Sequence, residues 1–541
     1  MSIENRRAAA GYWRKVYYSG QAGDEPPKYN KCFTHIERLG SYLYSAADVR
    51  FSIDFNHDDQ DKWPVVTVAA ARKFNRDFKR SKAGVKFGNG LRSSLIYGCS
   101  LAKQRWKNKR AMPTIIRPQF FGVLREDVES LDDQDAFCEH YYLTKAQFRR
   151  LLVANGKSEA DVATLMARVE TSFSQTGEEA MEDTYFHEIV AGGVQPITST
   201  GTPSGNWAQV GVFQNGINPM LAPEVQTDLI KVTDLWVWND STEDYSTFRF
   251  AHPDLLIEGG KRMRSLSDVP GEHPYTKICP NEVDGYFWGR SELAGLAGMQ
   301  ALLNRRINDV DRIFALQSNP PTVWAGFSGI DEEKKRAMLS AGGQIANDNP
   351  QATVNPVAPN MPDNALPYIE KIERWFDEMA GFTPALLGEA DAGVRSSQQG
   401  NILIRTGAPP IRERAFIVET QLIDFGDKFL NMERAKDART FTVPKVPGGM
   451  MLSQLPEDAA VDVDSHTASP AFSGDHVNLA FAMRKAGAID NSDLLRTVNF
   501  PNADSLAAKS DQRAEQQAKF IAEHPEILGK RKPGPKPGMA A

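Results

Sequence analysis

The stretch nearest to a catalytic motif is LLVANGKS, in which Gly156, Lys157 and Ser158 match the tail of a phosphate-binding P-loop. A complete P-loop needs another glycine five residues before the Gly-Lys pair, because glycines let backbone N–H groups wrap the phosphates. Position 151 is Leu, and the segment reads instead as a helix closed by Gly156. GRSELAG supplies Gly289 and Ser291 of a nucleophile elbow, but Leu293 stands where its second glycine belongs. The nine histidines form no HExxH or HxH pair, so metal ligation has no spacing behind it. Isolated ones such as His187 and His252 read as surface or hydrogen-bonded groups. Cys32, Cys99, Cys138 and Cys279 are far apart with no CxxC, the pattern of buried thiols in a reducing compartment. Asn239-Asp240-Ser241 matches a glycosylation acceptor and reads as a hairpin turn. The expectation is a protein without catalytic residues, metal or cofactor.

Charge is arranged in blocks. From Arg72 to Arg110 there are thirteen Lys and Arg against one acid, Asp77, and from Glu126 to Glu139 there are seven acids and no base. The blocks could pair within the fold, meet across copies in a heterologous ring interface, or, for the basic one, touch nucleic acid phosphates. The net charge of −6 argues against a surface that grips nucleic acid everywhere. The basic tail KRKPGPKPGMAA has the composition of a disordered, solubilising terminus.

At 541 residues the chain predicts several domains or lobes, and 41% hydrophobic with 24% charged residues are globular values. The start has no apolar core of a secretory signal, and nowhere do about 18 apolar residues run together, so the expectation is a soluble, intracellular protein. Residues 1 to about 290 read as mixed α/β, with helices at 35–45, 65–82 and 91–109, strands at RFSIDF and near 114–124, and a hairpin in DLWVWNDSTEDYSTFRF. From Leu293 to Phe314 apolar residues recur every three or four positions, predicting a helix over 291–317 about 40 Å long. Asn319-Pro320-Pro321 ends it, and a Pro-rich segment follows. Ile369, Ile372, Trp375, Phe376 and Met379 form a second stripe, closed by Gly381. Next comes PALLGEADAGVRSSQQG, residues 384–400, with the composition of a mobile loop. Beyond Pro409-Pro410, Ile411, Ala415, Val418, Leu422, Phe425, Phe429 and Met432 follow 4-3 spacing, a seam for packing on other helices.

The segments GRSELAGLAGMQALLNRRIN, FDEMAGFTPALLGEADAGVRSSQQG, ERAFIVETQLIDFGDKFL and MRKAGAIDNSDLLRTVNFP, in that order, resemble the portal (connector) proteins of tailed bacteriophages and related gene-transfer particles. FGVLREDVESLDDQDAFCEHYYLTKAQFRRLL is similar to a wing segment of that family. The resemblance implies an α+β, portal-type fold: a mixed α/β wing at 1–288, stem helices at 289–318 and 364–381 around a small α/β clip at 319–363, and a tunnel loop at 382–400. It continues with a long kinked helix at 401–436, a β return to the wing at 437–473, a helical crown at 474–529 and a basic tail at 530–541. It further implies a homo-oligomeric ring, a dodecamer, at the capsid portal vertex, assembled in the host cytoplasm. Double-stranded DNA would pass through it, with the terminase large subunit, the head-tail adaptor, the major capsid protein and scaffold as partners.

Under that resemblance Glu389, Asp391, Arg395, Ser396, Ser397, Gln398 and Gln399 would line the channel, and Gly381, Gly388, Gly393 and Gly400 would let the loop shift. The loop is faintly acidic and the stem helices, counted over 291–317 and 366–381, carry seven acids against five bases, which suits a conduit that must not bind DNA tightly. The alternatives are a packaging ATPase or nuclease, for which neither a complete Walker A nor an acidic metal cluster is legible, and a head-tail adaptor ring, which the length disfavours.

Overall fold

The computed structural model describes residues 3–23, 29–46, 49–55, 63–169, 229–251, 255–260, 272–318, 320, 322–325, 331, 351, 353–356, 360–382, 409–443, 446, 448–456, 458–463, 480–486, 489 and 494, apart from a few isolated positions within these spans. The chain is α+β, and among the described residues every strand pairing is antiparallel.

The N-terminal part gives α1 (Ile3–Ser19), α2 (Lys31–Leu43), β1 (Phe51–Asp54), α3 (Trp63–Arg80) and α4 (Ala83–Tyr97). Then come β2 (Ser100–Lys107), β3 (Arg110–Ile116), β4 (Phe121–Val123), β5 (Ala136–Thr144), α5 (Lys145–Ala154) and α6 (Glu159–Arg168). After them lie β6 (Leu229–Asn239), β7 (Asp244–Ala251), β8 (Leu255–Glu258) and β9 (Tyr275–Ile278). The remainder holds α7 (Leu293–Ser318), β10 (Thr322–Ala325), β11 (Thr353–Pro356), α8 (Ala365–Met379), α9 (Pro409–Lys436) and β12 (Ala460–Val463). Residues 480–485 are also helical.

The main core is built around α9. Every member of the predicted seam, from Ile411 to Met432, is buried, because 4-3 spacing keeps all seven on one side of a helix. Against them pack Phe74 and Phe78 of α3, Phe87 of α4 and Phe51 of β1, with ring centroids 4.8 to 6.0 Å apart. Each such phenylalanine contributes about 2 to 3 kcal/mol through the apolar surface it removes from water. Pro409 and Pro410 open the helix, where a missing N–H costs nothing.

Two larger sheets adjoin this core. One has the order β3-β2-β9 and the other β4-β5-β6-β7-β8. The aromatic runs of the predicted hairpin are β6 and β7, turning at Asn239 to Asp244, where the Asn239 side chain accepts from Ser241 N at 3.0 Å. Strand β7 alternates buried and half-buried residues along its whole length. A small sheet pairs β1 with β12, Phe51 opposite Val463, across more than four hundred residues of sequence.

Three sequence expectations shift. The helix placed at 91–109 ends at Tyr97, because Gly98 adopts φ +99 and a Cβ there would lie 2.9 Å from Trp288 O. The chain then continues as β2, whose charged residues had mimicked a polar helix face. The strand placed near 114–124 is two strands divided by a short turn at Pro118, which has no N–H for a ladder. The helix placed at 35–45 starts four residues earlier, where Asn30 caps it by accepting from Phe33 N.

Candidate functional site

The long amphipathic pair is α7 and α8. Lys31 gives their relative direction: its backbone N–H donates to Gln300 Oε1 at 3.1 Å, while its Nζ donates to Asp377 Oδ2 at 2.7 Å and to Glu373 O at 3.0 Å. The first third of α7 therefore lies beside the second half of α8, and with β10 paired to β11 beyond their other ends the two run antiparallel. Gln300 also donates to Tyr29 O and Asn304, and Asn304 to Gly20 O at 2.8 Å, so the base of α7 is hydrogen-bonded into the α1–α2 connection.

Burial changes abruptly along these helices. Leu293, Leu296, Ala297, Gln300, Leu303 and Asn304 are buried, and beyond Asn304 no residue of α7 is. At the far end Phe314 is 49% exposed and Leu316 37%, and on the neighbouring start of α8 Leu366 is 54% and Tyr368 39% exposed. Nearer the base, Trp375 and Met379 are also exposed. The predicted stripe is real, yet from Ile307 to Phe314 none of its members is buried.

Gly381 follows α8 with φ +75, donating to Glu378 O at 3.1 Å while Phe382 N donates to Asp377 O at 3.0 Å. This is the two-bond helix ending that a left-handed residue makes possible. Phe382 is buried, its ring 5.3 Å from His35 and 5.9 Å from Tyr42, with the Arg38 guanidinium 5.6 Å above it. His35 Nε2 is in turn 3.2 Å from Glu292 Oε1, and Arg414 on the first turns of α9 donates to both oxygens of Glu292. Burial opposes the Glu292 charge, but His35 and Arg414 outweigh it and hold the carboxyl at about 2. Phe382, at the end of α8, and Arg414, in the first turns of α9, thus meet at one charged cluster.

Of the expected site residues, Gly381 is placed beside this cluster. Glu389, Asp391, Arg395, Ser396, Ser397, Gln398, Gln399, Gly388, Gly393 and Gly400 lie outside the described residues, as do His187, His252, most of the expected crown and the basic tail. Phe382, His35, Glu292 and Arg414 carried no sequence signal beyond the apolar residue after Gly381. Ser291 is no exposed nucleophile: it is buried, donates to Ile96 O and accepts from Leu293 N at the start of α7. Gly156-Lys157-Ser158 is the joint between α5 and α6, with Gly156 at φ +74 and Ser158 capping α6. The four cysteines are free.

Two buried charge clusters brace the scaffold. Between the sheets, Lys103 pairs with Glu139, and Asp234 takes Arg249 Nε at 2.7 Å, with Tyr275 and Tyr141 hydroxyls donating to Glu139 and Asp234. Burial pulls Lys103 below its ordinary range against the pull of these carboxylates. The second cluster joins α3 to the end of α9. Lys73 Nζ lies 3.0 Å from Asp77, 2.7 Å from Asp437 and 3.8 Å from Glu433, and Arg439 reaches both aspartates. Neither Glu433 oxygen has a hydrogen-bond partner, and burial pushes its carboxyl up to about 8. Asp77, Glu433 and Asp437 bring ligand atoms within 4.8 Å of one another, a carboxylate spacing suited to a cation. The Lys73 ammonium already sits among these carboxylates. With its pKa raised by burial and by the two neighbouring aspartates, Glu433 favours the neutral, protonated form.

No protein-family model and no curated protein matches the chain. Solved structures similar to it over most of its length include the following two. One is a chain from the neck of an empty GTA particle, 11% identical, with a TM-score of 0.40 over 91% of this chain and 94% of that one. The other is a chain from the virion of a native gene transfer agent (GTA) particle, 12% identical, with a TM-score of 0.39 over 91% and 93%.

Proposed function

We propose that the chain is the subunit of a portal-type ring, a channel for double-stranded DNA at one vertex of a phage-like capsid, with no catalytic role of its own. The observation that carries this reading is the α7–α8 pair, anchored at its base and left with exposed Phe314, Leu316, Leu366 and Tyr368 at its far end. A single chain gains nothing by holding such a hairpin in water. Copies standing side by side would cover one another's apolar flanks and leave the polar flank to line a lumen. Segment 383–408, rooted at Phe382 and Arg414, would hang from that wall, with the faint acidity of Glu389 and Asp391 keeping DNA from sticking.

In this ring the strands β10 and β11 at the tip of the hairpin would belong to the clip that meets a packaging motor and later a tail adaptor. A nuclease is the second reading, because Asp77, Glu433 and Asp437 do converge. It needs a metal cluster open to a phosphodiester, whereas these three are buried between helices around an ammonium. Electron microscopy of the purified chain decides the matter: rings near twelve times 60.0 kDa with a central hole are expected. A persistent monomer at high concentration would overturn the proposal.

A further inference from the structure

The structure divides the two charge blocks differently from any simple pairing within the chain. Lys103 and Arg105 at the end of the basic block do pair with Glu139 at the end of the acidic one. The rest of each block is elsewhere. Arg76, Lys79, Arg80, Lys82 and Lys86 are exposed on α3 and the first turn of α4, whereas Lys73 and Asp77, with Phe74 and Phe78, occupy the face of α3 turned toward α9. Among the described residues no ion pair involves Lys79, Arg80, Lys82 or Lys86. The acidic loop exposes Asp127, Glu129, Asp132, Asp133 and Asp135, and it is tied down from behind. Asp132 lies 2.9 Å from His273 and 3.8 Å from Lys428, Lys277 donates to Glu129 O, and Trp288 donates to Glu126.

These two surfaces contact different sides of α9. Lys428, which meets the acidic loop, and Glu433, which meets α3, stand about 140° apart at 100° per residue. The basic residues then point outward from the far side of α3. A helix pair is about 20 Å across, beyond the roughly 10 Å over which exposed charges act in ordinary salt, so on opposite sides of it the two patches are largely screened from each other.

We infer that the basic face of α3 and α4 docks on the acidic loop 126–135 of a second copy of this chain. The reason is geometric. A head-to-tail interface needs two different, complementary patches on separate sides of one protomer, and repeating that contact closes a ring when the rotation permits. Opposite charge at the rim of such a contact steers the encounter and fixes the register, and like charge there costs much more than opposite charge gains. The inference rests on the ring reading above and adds to it the surface through which neighbours recognise each other.

The test is a charge exchange read by mass photometry. Lys79→Glu, Arg80→Glu and Lys86→Glu make one set, and Asp133→Lys with Asp135→Lys the other; all five side chains are exposed, so melting temperatures should match the native chain. Each set alone should raise the concentration for half-assembly by about tenfold or more, and both sets in one chain should bring it back toward the native value. An equimolar mixture of the two single-set chains should also assemble, which gives the same answer should the combined chain fold poorly. Native-like assembly by either set alone, or failure of both the combined chain and the mixture to recover it, would overturn the inference while leaving the ring intact. Failure of the native chain itself to assemble would instead remove the ring reading.

Discussion

Arg414 holds Glu292 through a single guanidinium nitrogen, Nη1, placed 3.1 Å from each carboxylate oxygen. The contact joins the residue before α7 to the first turns of α9, and His35 of α2 completes it from the other side. Elements distant in sequence, α2, the start of α7 and the start of α9, are thereby locked together.

Replacing Glu292 with Ala should therefore cost about 3 kcal/mol, since it leaves a half-buried guanidinium without its counter-charge and a buried imidazole without its hydrogen-bond partner. Thermal melting checks this. Glu292→Gln, which keeps the shape and part of the hydrogen bonding, should lose less.

The acid limb of stability has a definite sign. Glu292, Asp132 and Asp437 are each held at about 2, below the ordinary carboxylate range, so their contribution is present at neutral pH and lost as pH falls toward 2. Glu433 runs the opposite way. Its folded value of about 8 lies above the ordinary 4.5, so the folded chain holds a proton that the unfolded chain has released, and stability declines as pH rises from about 5 through 8. Glu433→Gln should flatten that decline and gain on the order of 1 to 3 kcal/mol at pH 8, measured by urea unfolding across pH. An unchanged alkaline limb would mean that Glu433 is ionised in the native chain.

Gly381 offers a clean backbone test. A Cβ at this position meets no atom within 4 Å, so the substitution to Ala acts only through φ +75 and should cost about 1 to 2 kcal/mol. A loss much larger than this in thermal melting would show that more than the local turn depends on it.

Phe314→Ser with Leu366→Ser should leave the melting temperature of the unassembled chain nearly unchanged, within about 0.5 kcal/mol, because both side chains are exposed. The same pair should abolish rings in electron micrographs. Rings of normal diameter would place the subunit contact away from the hairpin's tip.

Reversal of Glu389 and Asp391 to Lys should preserve rings and lower the DNA recovered per particle, as added cations hold phosphates in the lumen. Equal DNA yield from reversed and native particles would remove the role given to loop charge.

Much of this scaffold was legible in one dimension. The seam from Ile411 to Met432 was readable because each position is buried by the same helix geometry that sets its spacing, and α7 lies within two residues of the helix expected over 291–317. Gly156 and Gly381 announced helix ends through the one conformation that other residues avoid. What failed was local pattern under tertiary override: SLAKQRWK looks like a polar helix face, yet Lys103 and Gln104 are buried, the first because Glu139 and Asp234 wait for it on another sheet. The cluster of Asp77, Glu433 and Asp437 was invisible for the same reason, since no spacing connects residue 77 with residue 437. The site was less legible than the fold. His35, Glu292, Phe382 and Arg414 come from four separate stretches, and only their meeting gives them meaning.

The pairing of β1 with β12 has a consequence for biosynthesis. Phe51 to Asp54 leave the ribosome early, but the strand that completes their sheet, Ala460 to Val463, follows some four hundred residues later. At about 5 to 20 residues per second the wait is about 20 to 80 s, during which one strand edge beside the aromatic core has no complement. The main lobe can be finished only when nearly the whole polypeptide has been made, so incomplete chains lack the finished surface on which any neighbour must dock.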